Sequence, residues 1–167
     1  MHAASRQRYA AGMTTTKYRV VPIATEVANR ARAAAAAGAS DHALVVADSP
    51  DAYPCRHCLR WATAGESLIL FPFASVPPGY PYAESGPIFV HADACQRYAE
   101  TEVFPFAFRK NRVLRAYDSK HTMIDAAVVN GDEPEAVIEN LLENPDTHFI
   151  HVRSLLRGCY TMGIARA

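Results

Sequence analysis

The sequence predicts an α+β fold: a mostly antiparallel or mixed β-sheet with two or three helices in a single domain. Three observations carry this. Strand-like segments outnumber helical ones, and they do not alternate with helices as a βαβ series would. Two late segments, 112–118 and 123–130, flank the short run SKHT as a hairpin does. At 167 residues, 50% hydrophobic and 20% charged, the chain suits one globular domain with its own core. Residues 1–16 are expected to form a flexible N-terminal segment, with Met13 as an alternative start. Residues 17–167 form the single α+β domain, because no composition shift divides them.

The elements follow in order. Residues 17–25 (KYRVVPIAT) read as a first strand interrupted by Pro22. A helix starts near Thr25–Glu26, runs to about Ala37 and stops at Gly38, where a left-handed residue is cheap. Val27, Ala28, Ala31, Ala34 and Ala35 give it a narrow apolar stripe. HALVVA (42–47) suits a short buried strand, and DSPDAYP (48–54) is turn chemistry. SLILFPF (67–73) and PIFVH (87–91) are strands on either side of a proline-rich loop that ends at Gly86. HADACQRYAE suits one or two helical turns. Residues 133–143 form a helix with Pro134 in its first turn and Val137, Ile138, Leu141 and Leu142 at helical spacing. HFIHVRS (148–154) and residues 159–165 are the last strands, joined through LLRG.

Charge and the N-terminus exclude several classes. Lys plus Arg and Asp plus Glu both number 17, so the net charge is zero. A nucleic-acid surface normally brings a basic excess, so no nucleic-acid partner is expected. No apolar run approaches the ~18 residues of a membrane helix, so no membrane partner is expected. The first residues hold no apolar core before a cleavage site, which points to the cytoplasm. Disulfides are rare there, so Cys55, Cys58, Cys95 and Cys159 read as thiols or metal ligands.

Cys55 and Cys58 have the two-residue gap that lets both thiolates of a tight turn reach one ion. His91 and Cys95 have the i, i+4 spacing that one helical turn would bring to the same side. Three thiolates and one imidazole match a closed tetrahedral zinc site. Zinc in a structural role is therefore the expected cofactor, with His57 as a competing ligand for His91. Two other readings of the same residues stay open: buried thiols that fill core space, and a redox CxxC pair. The redox motif normally follows a strand in a βαβ unit, which this sequence does not show.

Strand alternation defines a second cluster. Arg115 and Tyr117 share one face of their strand, and His151 and Arg153 share one face of theirs. Tyr160, Met162 and Ile164 read as an apolar face, with Cys159 and Thr161 turned away. Were the strands neighbours, Arg115, Tyr117, His151, Arg153 and Cys159 would line one polar surface. Guanidinium forks there would bind a small anionic ligand. The alternative is a plain solvated face. The acidic run 132–146 and the basic run 109–115 could pair within the fold or between subunits of a homodimer, or lie solvated.

PCRHCLR, GPIFVHADAC, RAYD, FIHVRS and GCY, in this order, resemble a bacterial domain-of-unknown-function family, number twelve-oh-three. The resemblance spans roughly Tyr18 to Arg166 and implies a free-standing bacterial domain. It assigns no activity, cofactor or residue role. The residues thus support a cytosolic domain with a structural zinc site and a polar pocket. One alternative is an enzyme using Cys159 or His151 in nucleophilic or acid–base chemistry. The other is a non-catalytic interaction module built on the acidic helix or the Tyr/Pro loop.

Overall fold

The structure, a computed structural model, describes residues 17–131 and 133–167. The expected flexible segment 1–16 and the alternative start at Met13 lie outside the described residues. The elements are β1 (Tyr18–Val21), α1 (Thr25–Ala36), β2 (Ala43–Val46), β3 (Ser67–Val76) and β4 (Glu84–His91), then β5 (Arg112–Tyr117), β6 (Met123–Val129), α2 (Pro134–Glu143), β7 (Phe149–Ser154) and β8 (Tyr160–Arg166). They form two antiparallel sheets, one ordered β1-β8-β7-β5-β6 and the other β2-β3-β4. The fold is α+β and mostly β.

Local chemistry sets most boundaries. β1 alternates buried and exposed residues and ends before Pro22. α1 ends in a Schellman closure: Gly38 takes φ +75°, and Ala39 N–H donates to the Ala34 carbonyl at 3.0 Å. Pro72 lies on β3 beyond the stretch paired with β2, so its missing N–H leaves no gap in that ladder. The hairpin between β5 and β6 is pinned by the Asp118 carboxylate. It accepts the N–H groups of Lys120 and Thr122 at 2.9 and 2.8 Å, with His121 left-handed at φ +59°.

Two apolar clusters hold the layers. Ile138, Leu141 and Leu142 of α2 pack on Leu114, Ile150, Val152 and Met162 of the larger sheet. Ala28 and Ala31 of α1 pack on Ile69, Phe71, Ile88 and Val90 of the smaller one, joined by Tyr160. Each fully buried aliphatic side chain contributes about 1.5–3 kcal/mol.

Four expectations need correction. β2 is an edge strand and not buried: Leu44 and Val46 are 69% and 57% exposed, because no element among the described residues covers them. β3 runs on to Val76 and β4 starts at Glu84, so strand pairing takes up part of the proline-rich loop. Residues 92–100 contain no helix. Apart from Cys95 and Tyr98 the segment has only alanines for an apolar stripe, so tertiary bonds prevail. Tyr98 N–H donates to the His57 carbonyl, and Arg97 donates to the carbonyls of Pro22 and Ile23. Finally, Tyr160 does not share a face with Met162 and Ile164. Val152 pairs with Met162 but Arg153 pairs with Tyr160, so Thr161 is left over as a β-bulge. The bulge turns Tyr160 to the opposite face, against Phe73 and His151. Among the described residues, no helix is long and apolar enough to cross a membrane.

Candidate metal centre

Cys55 and Cys58 sit on a tight knuckle. Cys55 N–H donates to the Arg60 carbonyl, Leu59 N–H donates back to the Cys55 carbonyl, and Pro54 bridges to Trp61. Leu59 adopts φ +54°, a left-handed state that costs a residue with a Cβ about 1–2 kcal/mol. Its side chain is 3% exposed in the main core, which offsets that cost. Arg56 N–H donates to the Phe89 carbonyl, so the knuckle docks beside β4 two residues before His91. Cys95 arrives on the irregular segment after β4.

The sulfur atoms of Cys55, Cys58 and Cys95 and one nitrogen of His91 all lie within 4.8 Å of one another. Cys55 Sγ is 3.9 Å from Cys95 Sγ, and Cys58 Sγ is 3.5 Å from His91 Nδ1. A tetrahedral zinc with metal–sulfur bonds near 2.3 Å and metal–nitrogen bonds near 2.05 Å requires about 3.8 Å between sulfurs and about 3.6 Å between sulfur and nitrogen. A disulfide requires about 2.05 Å and is not present. The cluster can hold a metal ion. The i, i+4 spacing of His91 and Cys95 does bring them together, but through an irregular turn and not a helix.

The surroundings orient the four ligand groups. His57, considered above as a ligand, stands behind Cys95: its Nδ1 is 3.2 Å from Cys95 Sγ and its Nε2 is 3.0 Å from Thr25 Oγ1. A neutral ring that donates at Nδ1 and accepts the threonine hydroxyl at Nε2 satisfies both contacts. Burial lowers the His57 pKa, which favours that neutral form. Arg32 of α1 donates to the His91 carbonyl at 3.0 Å and to Cys95 Sγ at 3.5 Å. His91 Nε2 faces Glu66 Oε2 at 3.5 Å, and Arg60 holds that carboxylate through two bonds of 2.8 and 2.6 Å. Carboxylate–imidazole contacts of this kind set the tautomer of a metal-binding histidine. Without a metal, hydrogen bonds from Cys58 and Cys95 hold the Cys55 thiol far below its usual range, and the hydrogen bond with Cys55 pushes Cys58 up. Hydrogen bonds with Cys55 and Cys95 raise His91 to about 9. Arg32, Glu66 and the outer place of His57 were not legible in the sequence. The faint signal was Arg32 itself, a guanidinium beside the alanine stripe of α1.

The polar strand cluster is partly assembled. β5 and β7 are neighbours, with Arg115 opposite His151 and Tyr117 opposite Phe149. The face they share is covered by the smaller sheet. Arg153, 2% exposed, forks onto Glu84 at 2.9 and 2.8 Å and donates to Ser75 Oγ at 2.7 Å. Arg115 reaches the same carboxylate at 3.4 Å. Glu84, which the sequence did not single out, thus joins both arginines. His151 is packed among Tyr117, Phe149 and Tyr160 with ring centroids 4.9–5.0 Å away. Cys159 lies just before β8 and lines a cavity of about 120 Å³ beside Arg153. The acidic and basic runs do meet within the chain, where Arg109 forks onto Glu135 at 2.7 Å.

His151 has a measurable consequence. Burial, then repulsion from Arg153, His121 and Arg115, lowers its pKa from the ordinary 6.5 to about 3. The folded state therefore binds fewer protons than the unfolded one below pH 6.5. Its stabilising contribution is complete above pH 6.5 and falls away as the pH drops toward 3. His151→Phe, which keeps the aromatic stack, is expected to flatten the decline in urea midpoint between pH 7 and pH 4. An unchanged decline would assign the acid sensitivity to other groups.

No curated protein and no solved structure matches the chain. The family model described as "Protein of unknown function (DUF1203)" matches residues 52–166. That span holds all four cluster residues, the knuckle, Glu84 and the strands β5, β7 and β8, while β1, α1 and Arg32 precede it. Because the match covers more than half of the chain, this protein belongs to the DUF1203 family.

Proposed function

We propose that Cys55, Cys58, His91 and Cys95 bind one structural zinc ion, which braces a small binding domain. The observation that carries this reading is the convergence of four soft or borderline ligands within 4.8 Å, with Cys55–Cys95 and Cys58–His91 near the separations a tetrahedral zinc requires. A structural role is favoured over a catalytic one. Four protein ligands leave no open position, and three thiolates make the ion a weak acid toward water. The ion would tie the end of β4 to two segments with little regular hydrogen bonding, the knuckle 54–61 and the loop around Cys95.

A small anionic ligand at Arg115, Tyr117, His151, Arg153 and Cys159 would have to displace the Glu84 carboxylate. We therefore read that cluster as an ion-pair layer between the sheets. A cytoplasmic setting agrees with thiol ligands kept reduced.

The test is elemental analysis of untagged protein purified without chelator, combined with thiol titration. The expected result is one zinc per chain, with Cys159 reacting at once and the other three thiols protected until denaturation. No metal and four freely titrating thiols would refute the assignment.

A further inference from the structure

A second cavity, of about 480 Å³, opens between the knuckle, β4, β5 and the β7–β8 turn. Its volume lies in the range of small-molecule sites, about 300–1,000 Å³. Arg56 and Arg112 line it, although they are only 4% and 6% exposed. Arg56 donates to the carbonyls of Tyr160 and Pro54, and its Nη2 has no partner among the described residues. Arg112 makes one bond, 3.2 Å to the Asn111 carbonyl, and its buried Nε is unpartnered. Its guanidinium stands 5.1 Å from the ring centroid of Phe108 and 5.9 Å from that of Trp61. Neither arginine forms an ion pair among the described residues.

Among the buried arginines these two differ from Arg153, which is paired. Arg60, Arg109, Arg115 and Arg153 each meet a carboxylate. Burying a cation without a counter-charge is costly, so two such cations facing one cavity leave a deficit that an anion would fill. Arg157 stands at the exposed rim as a third cation, against the single carboxylate of Asp51. Thr161, left over by the β-bulge, also lines the cavity, and its hydroxyl has no partner among the described residues. Bulges of this kind often re-aim a side chain at a site. Trp61, Phe89 and Leu156 supply apolar wall.

We propose that this cavity binds a phosphate monoester with a small apolar or aromatic body, its dianionic head held by Arg56, Arg112 and Thr161. Three cations against one carboxylate leave two positive charges, which a dianion balances and a carboxylate does not. The guanidinium forks suit phosphate oxygens, and the apolar wall suits the body. The site shares Cys159 with the polar strand cluster but uses different arginines.

Trp61 is the only tryptophan of the chain and lies under Arg112, so its fluorescence reports directly. The full-length protein as purified would be titrated with phenyl phosphate, inorganic phosphate and benzoate at constant ionic strength. Phenyl phosphate is expected to give a saturable change, with inorganic phosphate weaker and benzoate weaker still. Arg112→Met keeps the packing on Trp61 and Phe108 and is expected to weaken phenyl phosphate about 10–100-fold, the usual effect of losing a charged hydrogen bond. It should also melt no lower than the parent in the absence of phosphate, which a purely structural arginine would not allow. Arg157→Met, at the exposed rim, is expected to weaken binding severalfold. Arg19→Met, on the exposed side of β1, should change nothing. The parent titration needs no variant to fold. No saturable response by about 10 mM phenyl phosphate, an equal response to chloride, or benzoate binding as tightly would overturn the assignment.

Discussion

Cys58→Ser is expected to lower the melting temperature by about 8–16 °C and to remove stoichiometric metal. A ligand held about 1,000-fold above its dissociation constant contributes about 4 kcal/mol to the folded state. For a chain of this length each kcal/mol moves the midpoint by about 2–4 °C. Serine keeps the size of the side chain but loses the thiolate, so packing changes little and coordination is lost. The cost is concentrated because, besides the cluster, only a few backbone bonds join these segments, such as Arg56 N–H to the Phe89 carbonyl and Tyr98 N–H to the His57 carbonyl. The knuckle is closed by a few backbone bonds and a left-handed Leu59. The loop around Cys95 depends on Arg32, Arg97 and His57. Cys159→Ser, outside the cluster, is the control and should leave metal content and melting temperature unchanged. Differential scanning calorimetry with parallel metal analysis decides the matter. A Cys58→Ser protein that melts with the parent would show that no ion braces these segments.

The Cys/His cluster was legible in the sequence because its information is local. A two-residue gap between thiols constrains geometry wherever the chain folds, and so does the four-residue gap from His91 to Cys95. The route by which the second pair converges was not legible. The spacing suggested a helical turn, but Tyr98 and Arg97 spend their hydrogen bonds on the knuckle and on residues 22–23 instead. α2 and the β5–β6 hairpin followed directly from apolar periodicity and turn chemistry. Alternation correctly placed Arg115, Tyr117, His151 and Arg153, since a strand without irregularity sorts its side chains by parity. It failed at Tyr160, because one bulged residue inverts every assignment on its far side. It also could not show that the polar face would meet a second sheet. That depends on Glu84, which lies far from both arginines in sequence and carries no motif of its own.

Glu84→Ala is expected to cost about 3 kcal/mol, measured as a fall in the urea midpoint at unchanged m-value. Removing one member of a buried pair leaves an uncompensated charge, and such losses run to about 3–5 kcal/mol. The lower end applies because the Glu84 side chain is 40% exposed and water screens part of the pair. The burden falls on Arg153, whose side chain is 2% exposed and would keep only the Ser75 hydroxyl and the Gly158 carbonyl. Arg115, at 28%, can turn to water, so Arg115→Ala should cost much less. The double variant Glu84→Leu with Arg153→Met is the sharper comparison. If the pair joins the two sheets chiefly by charge complementarity, removing both charges should recover most of the loss, because no buried ion remains. If the double variant stays as unstable as Glu84→Ala, the joint depends on the fork itself. In that case Arg153 aligns β7 with β3 and β4 through bonds that apolar packing cannot replace.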